Sequence, residues 1–254
     1  VKLLVNIMLG CLFAISALAE SIKLSDANTV MLRGEINGQS VTAAQVDLFL
    51  KVLKRGDATY PIFIVLDTPG GSVYAGGTFI DYCRTLKNVH TITLFAASMG
   101  SAIVQGCGGE RLITASGIHM YHRAAGGFEG QFETGEVESR LAFWKSVVRA
   151  MEVANATRLS MSLDDYKAKV LNEWWMLGEA AVAVKSADRV VNISCDDELT
   201  KTINSETVEV LIYTFKVKRS GCPLFRFPIG VSQAEDDAGN YIKKLKSTYP
   251  YYNL

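Results

Sequence analysis

Ile62–Leu66 (IFIVL) is an unbroken apolar run of five residues, rich in β-branched side chains, that stops at Asp67-Thr68-Pro69-Gly70-Gly71-Ser72. It is too short for a core helix and shows no polar alternation, so it predicts a strand buried on both faces. Such strands belong to α/β folds, in which helices cover a largely parallel sheet. The same rhythm continues along the chain. A helical pattern runs to about Leu86, followed by a strand at Thr91–Phe95, small residues over Ala96–Gly100 and a helix at Ser101–Gln105. Upstream, Thr29–Ile36 predicts a strand, Asn37-Gly38 a turn, and Val41–Leu53 a helix with Ser40 as its cap. Strands at Arg111–Thr114 and Ile118–His122 precede one or two long helices over Glu133–Leu171. After about Val191 the pattern turns irregular, with a strand candidate at Val208–Lys216.

The 254 residues are 49% hydrophobic and 20% charged, enough for a sizeable core and unlike a disordered or coiled-coil chain. Twenty-six Lys and Arg balance 26 Asp and Glu, so no net charge draws the protein to nucleic acid or to an anionic membrane. Residues 1–19 (VKLLVNIMLGCLFAISALA) combine one Lys, an apolar run and an Ala17-Leu18-Ala19 end. That pattern predicts a secretory signal cleaved before Glu20, with membrane anchoring by residues 3–19 as the alternative. The expected location is therefore a bacterial periplasm, or the medium. Residues 20–193 form the expected main domain and 194–254 a C-terminal extension of unassigned role.

Export changes how the cysteines are read. With Cys11 lost in the signal, Cys83, Cys107, Cys195 and Cys222 remain, an even number in an oxidising compartment. Cys195–Cys222 is the favoured pairing and Cys83–Cys107 a second candidate; four free thiols are the alternative. No Cys or His spacing suggests a metal, and no cofactor is expected.

Two strand-to-helix junctions carry unusual residues. Gly70-Gly71 lets backbone N–H groups approach a ligand, although a Gly pair is more often a plain turn device. Ser98, at the mouth of a helix, is placed either as an N-cap or as a nucleophile beside the next N–H, that of Met99. Glycine donors and such a serine would together make an oxyanion hole. His122, at the end of a strand, is the candidate base.

LDTPGGSVYAG, AASMGSA and HMYHRAAGGFEGQ, in this order and spacing, resemble the proteolytic subunit of the Clp protease over roughly Val30 to Val191. The resemblance implies the Clp/crotonase-like spiral of repeated ββα units and serine peptidase chemistry. By position, Ser98 is the nucleophile, His122 the general base, and Gly70 or Gly71 with Met99 the oxyanion hole. Gly126–Gln131, including Gly127 and Phe128, would be the strand that pairs with substrate. The helix from Glu133 would be the handle of a homo-oligomer, with Phe143, Trp144 and Val147–Val148 either its apolar surface or ordinary core.

The acidic triad position departs from the family pattern, because Asn172 stands there. An Asn can orient an imidazole but cannot stabilise an imidazolium with a full charge. Glu173 and Asp165 are the alternative third members, and Asp188 reads as structural. The expected substrate is a peptide or unfolded segment. No ATPase partner is expected for an exported chain. The competing readings are an inert peptide-binding module with a decayed triad, a Ser-Lys peptidase using Lys145 or Lys167, and an acyl-CoA enzyme of crotonase type.

Overall fold

The computed structural model describes residues 20–126, 131–133, 135–210 and 213–233. In chain order the elements are β1 (Glu20–Leu24), β2 (Thr29–Arg33), α1 (Gly38–Lys54), β3 (Ile62–Thr68), α2 (Val73–Cys83), β4 (Val89–Ala97), α3 (Met99–Gly106) and β5 (Arg111–Tyr121). There follow α4 (Glu136–Arg158), α5 (Leu163–Lys169), β6 (Trp174–Leu177), α6 (Glu179–Ala183), β7 (Arg189–Cys195), α7 (Asp197–Lys201), β8 (Ile203–Val210), β9 (Tyr213–Ser220) and β10 (Gly230–Gln233).

The main sheet has the order β1-β7-β5-β4-β3-β2, parallel throughout, with β6 added antiparallel to β5. β3 lies inside the sheet and is covered on both faces, as its sequence predicts. Ile62, Ile64 and Leu66 enter a core with Leu48, Phe79 and Ile103 from α1, α2 and α3. Phe63 and Val65 point the other way, towards Leu24, Leu94, Val191 and Leu199. A third cluster joins α4 to α6 around Tyr121, Leu159, Tyr166 and Met176. This is the α/β architecture of the Clp/crotonase-like fold.

Several local expectations are corrected. Asn37, not Ser40, caps α1: its side chain accepts from the Gln39 and Ser40 N–H groups while Ser40 Oγ accepts from the Asn37 N–H. That reciprocal arrangement is a capping box, and Ser40 is its inner member. The two strands at 111–114 and 118–122 are one, β5, and its register against β4 shifts between Thr93 and Phe95. The expected strand at Val208–Lys216 is instead parts of two antiparallel strands, β8 and β9, with Val210 opposite Tyr213. β10 completes this second, three-stranded sheet.

Two disulfides are formed, Cys83–Cys107 between the ends of α2 and α3, and Cys195–Cys222 between the end of β7 and the segment after β9. The second ties the three-stranded sheet to the main one. Among the described residues no helix is long and apolar enough to cross a membrane. The leader candidate, residues 1–19, lies outside the described residues.

Candidate active site

β4 ends at Ala97, and Ser98 then turns the chain into α3 with φ 55° and ψ −119°. A non-glycine residue with positive φ is strained, and here several bonds hold it. The Ser98 N–H donates to the Met120 carbonyl on β5 at 2.9 Å. Ser101 Oγ donates to the Ala96 carbonyl at 2.6 Å and lies 2.9 Å from that of Met120. The small residues around the turn have steric reasons. A Cβ on Gly100 would lie 2.7 Å from Thr68 Cγ2, and one on Gly76 would overlap the Met99 side chain. Ser98 makes no side-chain cap bond to α3, so its hydroxyl is not an N-cap.

That hydroxyl instead meets His122, one residue beyond β5, with Ser98 Oγ and His122 Nε2 2.6 Å apart. Twenty-four residues of sequence separate the two, and parallel pairing of β4 with β5 brings them together. An imidazole at this distance can take the hydroxyl proton as the oxygen attacks an electrophile.

Gly70 and Gly71 reach the same place from the end of β3. Gly70 has φ +97°, and a Cβ there would come within 2.7 Å of Ser98 Cβ and 3.0 Å of the Met99 N. Its N–H donates to Thr68 Oγ1 at 3.0 Å. The Gly71 N–H has no acceptor among the described residues, and the neighbouring atoms are pinned: Ile36 N–H donates to the Gly70 carbonyl and Ser72 N–H to that of Ile36. Met99 opens α3, so its N–H also lacks an intrahelical acceptor. Of the two glycines considered as donors, Gly71 is therefore the one left free. Thr68, which occupies the Gly70 N–H, was not singled out by sequence, and only its place before the Gly pair marks it.

Beneath β5 runs a buried polar chain. His119 Nε2 lies 2.8 Å from Thr93 Oγ1, and its Nδ1 2.6 Å from Ser186 Oγ. Ser186 Oγ meets Tyr121 OH at 2.8 Å, and Tyr121 accepts from Gln105 at 2.7 Å. Arg111 donates to Gln105 Oε1 and pairs with Asp188. Burial, and then the charge of Arg111, push the His119 pKa down to about 3, and burial raises that of Tyr121. Asp188, read from sequence as structural, has Arg111 as its partner. The chain fixes Tyr121, the residue before His122.

Asn172 is not brought to His122. It is exposed, and neither it nor His122 Nδ1 has a hydrogen-bond partner among the described residues. The reason lies in β6. Its antiparallel register begins with Trp174 opposite Tyr121, so Asn172 lies two residues before the strand, outside the pairing, and is exposed. The alternatives are engaged elsewhere: Asp165 accepts from Ser162 Oγ, and Glu173 from Trp175 Nε1. Lys167 pairs with Glu152, and Lys145 lines a neighbouring groove.

A cavity of about 240 Å³ opens beside Ser98 and His122, lined by Ala102, Val148, Met151, Glu152, Asn155 and Tyr166 among others. Of its α4 and α5 residues only Val148 is named from sequence, and not as a pocket residue, because they lie within ordinary helical periodicity. Gly126 sits against Trp144, where a Cβ would be 2.9 Å from Cζ2. Gly127 and Phe128, the rest of the named substrate strand, lie outside the described residues. On α4, Phe143 is 70% exposed, with Val137, Leu141 and Val153 also exposed.

An α/β sheet that presents a strained serine, a facing histidine and a Gly-Gly loop at adjacent strand ends defines the hydrolase type of the Clp/crotonase-like fold. The family model described as Clp protease matches residues 17–194, and the chain belongs to that family. It is similar to the ATP-dependent Clp protease proteolytic subunits of Streptococcus gordonii, Streptococcus pneumoniae and Streptococcus equi subsp. equi. Each is 26% identical over 165 residues, covering 64% of this chain and 83% of the relative.

Proposed function

We propose that this chain is an exported serine peptidase that cleaves peptides or unfolded segments without an ATP-driven partner. The observation that carries the reading is the 2.6 Å contact between Ser98 Oγ and His122 Nε2. Ser98 Oγ attacks the scissile carbonyl and His122 Nε2 takes its proton. The oxyanion that forms accepts from the N–H groups of Gly71 and Met99. His122 then protonates the leaving amine, and water hydrolyses the acyl-enzyme by the same route in reverse. Gly70 shapes the loop and Gly126 begins the substrate strand. Two disulfides support export, since such bonds persist in oxidising compartments. The exposed apolar face of α4 supports homo-oligomer formation.

A second reading is an inert peptide-binding module, favoured by the His122 Nδ1 that no carboxylate or amide among the described residues orients. Fluorophosphonate labelling of the chain from Glu20 separates the two. Labelling at Ser98 that is lost in both Ser98→Ala and His122→Ala is the expected result. A folded wild type that takes no label means the inert module. Loss in Ser98→Ala alone means another base. In the same assay Asn172→Ala should label within about twofold of wild type, because Asn172 makes no bond to the imidazole.

A further inference from the structure

On the peptidase reading, the cavity beside Ser98 takes the side chain preceding the scissile bond, and its lining has an uneven chemistry. Val148, Met151 and Ala102 make apolar walls. Its hydroxyls, those of Ser98, Tyr121 and Tyr166, can donate or accept, and its side-chain acceptors include Asn155 Oδ1 and the Glu152 carboxylate. Asn155 is buried and donates its Nδ2 hydrogen to Tyr166 OH at 3.0 Å, which leaves its Oδ1 without a donor among the described residues. Among the described residues, Glu152 is the one Asp, Glu, Lys or Arg on the lining. Its side chain is 17% exposed, accepts no hydrogen bond from the described residues, and forms its one ion pair among them with Lys167 Nζ, at 3.6 Å. That separation is beyond a good hydrogen bond, and Lys167 is the more exposed partner. Lys145, Arg149 and Lys167 line a neighbouring groove that shares Val148 and Glu152 with the cavity, and none of the three is on the cavity lining.

A half-buried carboxylate without hydrogen bonds is costly, and a cation that enters the cavity relieves it. We propose that Glu152 makes this pocket select a lysine or arginine before the scissile bond, with the apolar stem against Val148 and Met151 and the charged end on Glu152. The inference rests on the peptidase reading for its biological meaning. An acidic side chain at that position would face the Glu152 carboxylate and the free Asn155 oxygen, so it should be rejected.

Binding tests the pocket apart from the chemistry. Two fluorescein-labelled hexapeptides, identical except for Lys or Leu before the central bond, are titrated into Ser98→Ala. The Lys peptide should bind about tenfold tighter, as a hydrogen-bonded charge pair in a partly dehydrated site implies. Adding Glu152→Gln should bring the ratio near unity, the Leu peptide serving as the internal reference for a folded pocket. Adding Lys167→Ala instead should raise the ratio, since it removes the competing cation. Equal or tighter binding of the Leu peptide, or a preference that survives Glu152→Gln, overturns the proposal. A wild type that takes no fluorophosphonate counts against the peptidase reading alone, and the affinity ratio still decides this one.

Discussion

The guanidinium of Arg226 lies on the carboxylate of Asp67, with Arg226 Nε 3.2 Å from Oδ2, and Arg33 Nε approaches the same oxygen at 3.3 Å. Arg226 belongs to the C-terminal extension. Asp67 is the penultimate residue of β3, three positions before Gly70. Arg33 also donates to the Pro223 carbonyl at 3.2 Å, so the extension is fastened to the strand that leads into the Gly-Gly loop.

Arg226→Ala should therefore be felt more at the loop than in global stability. Arg226 is half exposed and Asp67 keeps Arg33, so the loss of stability should be no more than about 1 kcal/mol. Acylation of Ser98 by fluorophosphonate should slow several-fold as the loop loosens. The urea midpoint and the labelling rate, measured together, check this. A large fall in stability with an unchanged labelling rate would contradict the assigned role.

The Cys195–Cys222 bond spans 27 residues of sequence and encloses α7, β8 and β9. Replacing both cysteines by Ser should cost about 3.5 kcal/mol by the loop-closure relation. Non-reducing peptide mapping should find both bridges in the native protein. Thermal melts with and without reductant should then show a fall in the wild type. In the double variant the remaining fall should be smaller, owed to Cys83–Cys107 alone.

Much of the site was legible because its constraints are local. Gly70 must lack a Cβ to lie against Ser98, Gly100 to clear Thr68, and an α/β sheet needs a run such as IFIVL at its centre. Those requirements leave marks on consecutive residues. β1, β6 and β7 left no such mark. β1 is five residues of mixed polarity whose partner, Val191–Cys195, lies some 170 positions away, so only the folded sheet defines it as a strand. β6 begins with two tryptophans directly after the Asn172 segment, and nothing in that order shows that its register leaves Asn172 in solvent. The disulfide pairs were narrowed by parity and compartment, but geometry alone selects between them.

Gly71→Ala should abolish labelling of Ser98. Gly71 has φ +146°, and an added Cβ would collide with the Ile36 carbonyl oxygen, which accepts from the Ser72 N–H. Backbone strain of this kind costs about 1–3 kcal/mol, and relief requires the loop to move and carry the Gly71 N–H away. Folding can be followed by circular dichroism while the label reads the site. A folded variant that labels at the wild-type rate would exclude the Gly71 N–H from oxyanion binding.

The His119 network makes a prediction about acid. Burial, and then the Arg111 charge, hold its folded pKa near 3, against the ordinary 6.5. As the pH falls below about 6.5 the unfolded chain takes up a proton that the folded protein refuses, so mass action favours unfolding. The stabilisation is complete above that value and is lost towards pH 3, with a limiting slope of about 1.4 kcal/mol per pH unit. Asp188 acts in a separate, more acidic window. Burial raises its pKa, but the hydrogen bonds and charge of Arg111 outweigh that and hold it below 3.8, so its contribution is lost only under stronger acid. Urea unfolding between about pH 7 and pH 5 separates the histidines from the carboxylates, most of which titrate lower; His90, whose pKa burial also lowers, adds to the slope and stays in the variant. Wild-type stability should fall across this range. In His119→Gln, which keeps a donor and an acceptor between Thr93 and Ser186, the slope should flatten even though the starting stability is lower. An unaltered slope in that variant would mean that His119 is charged in the folded protein or that another group sets the response.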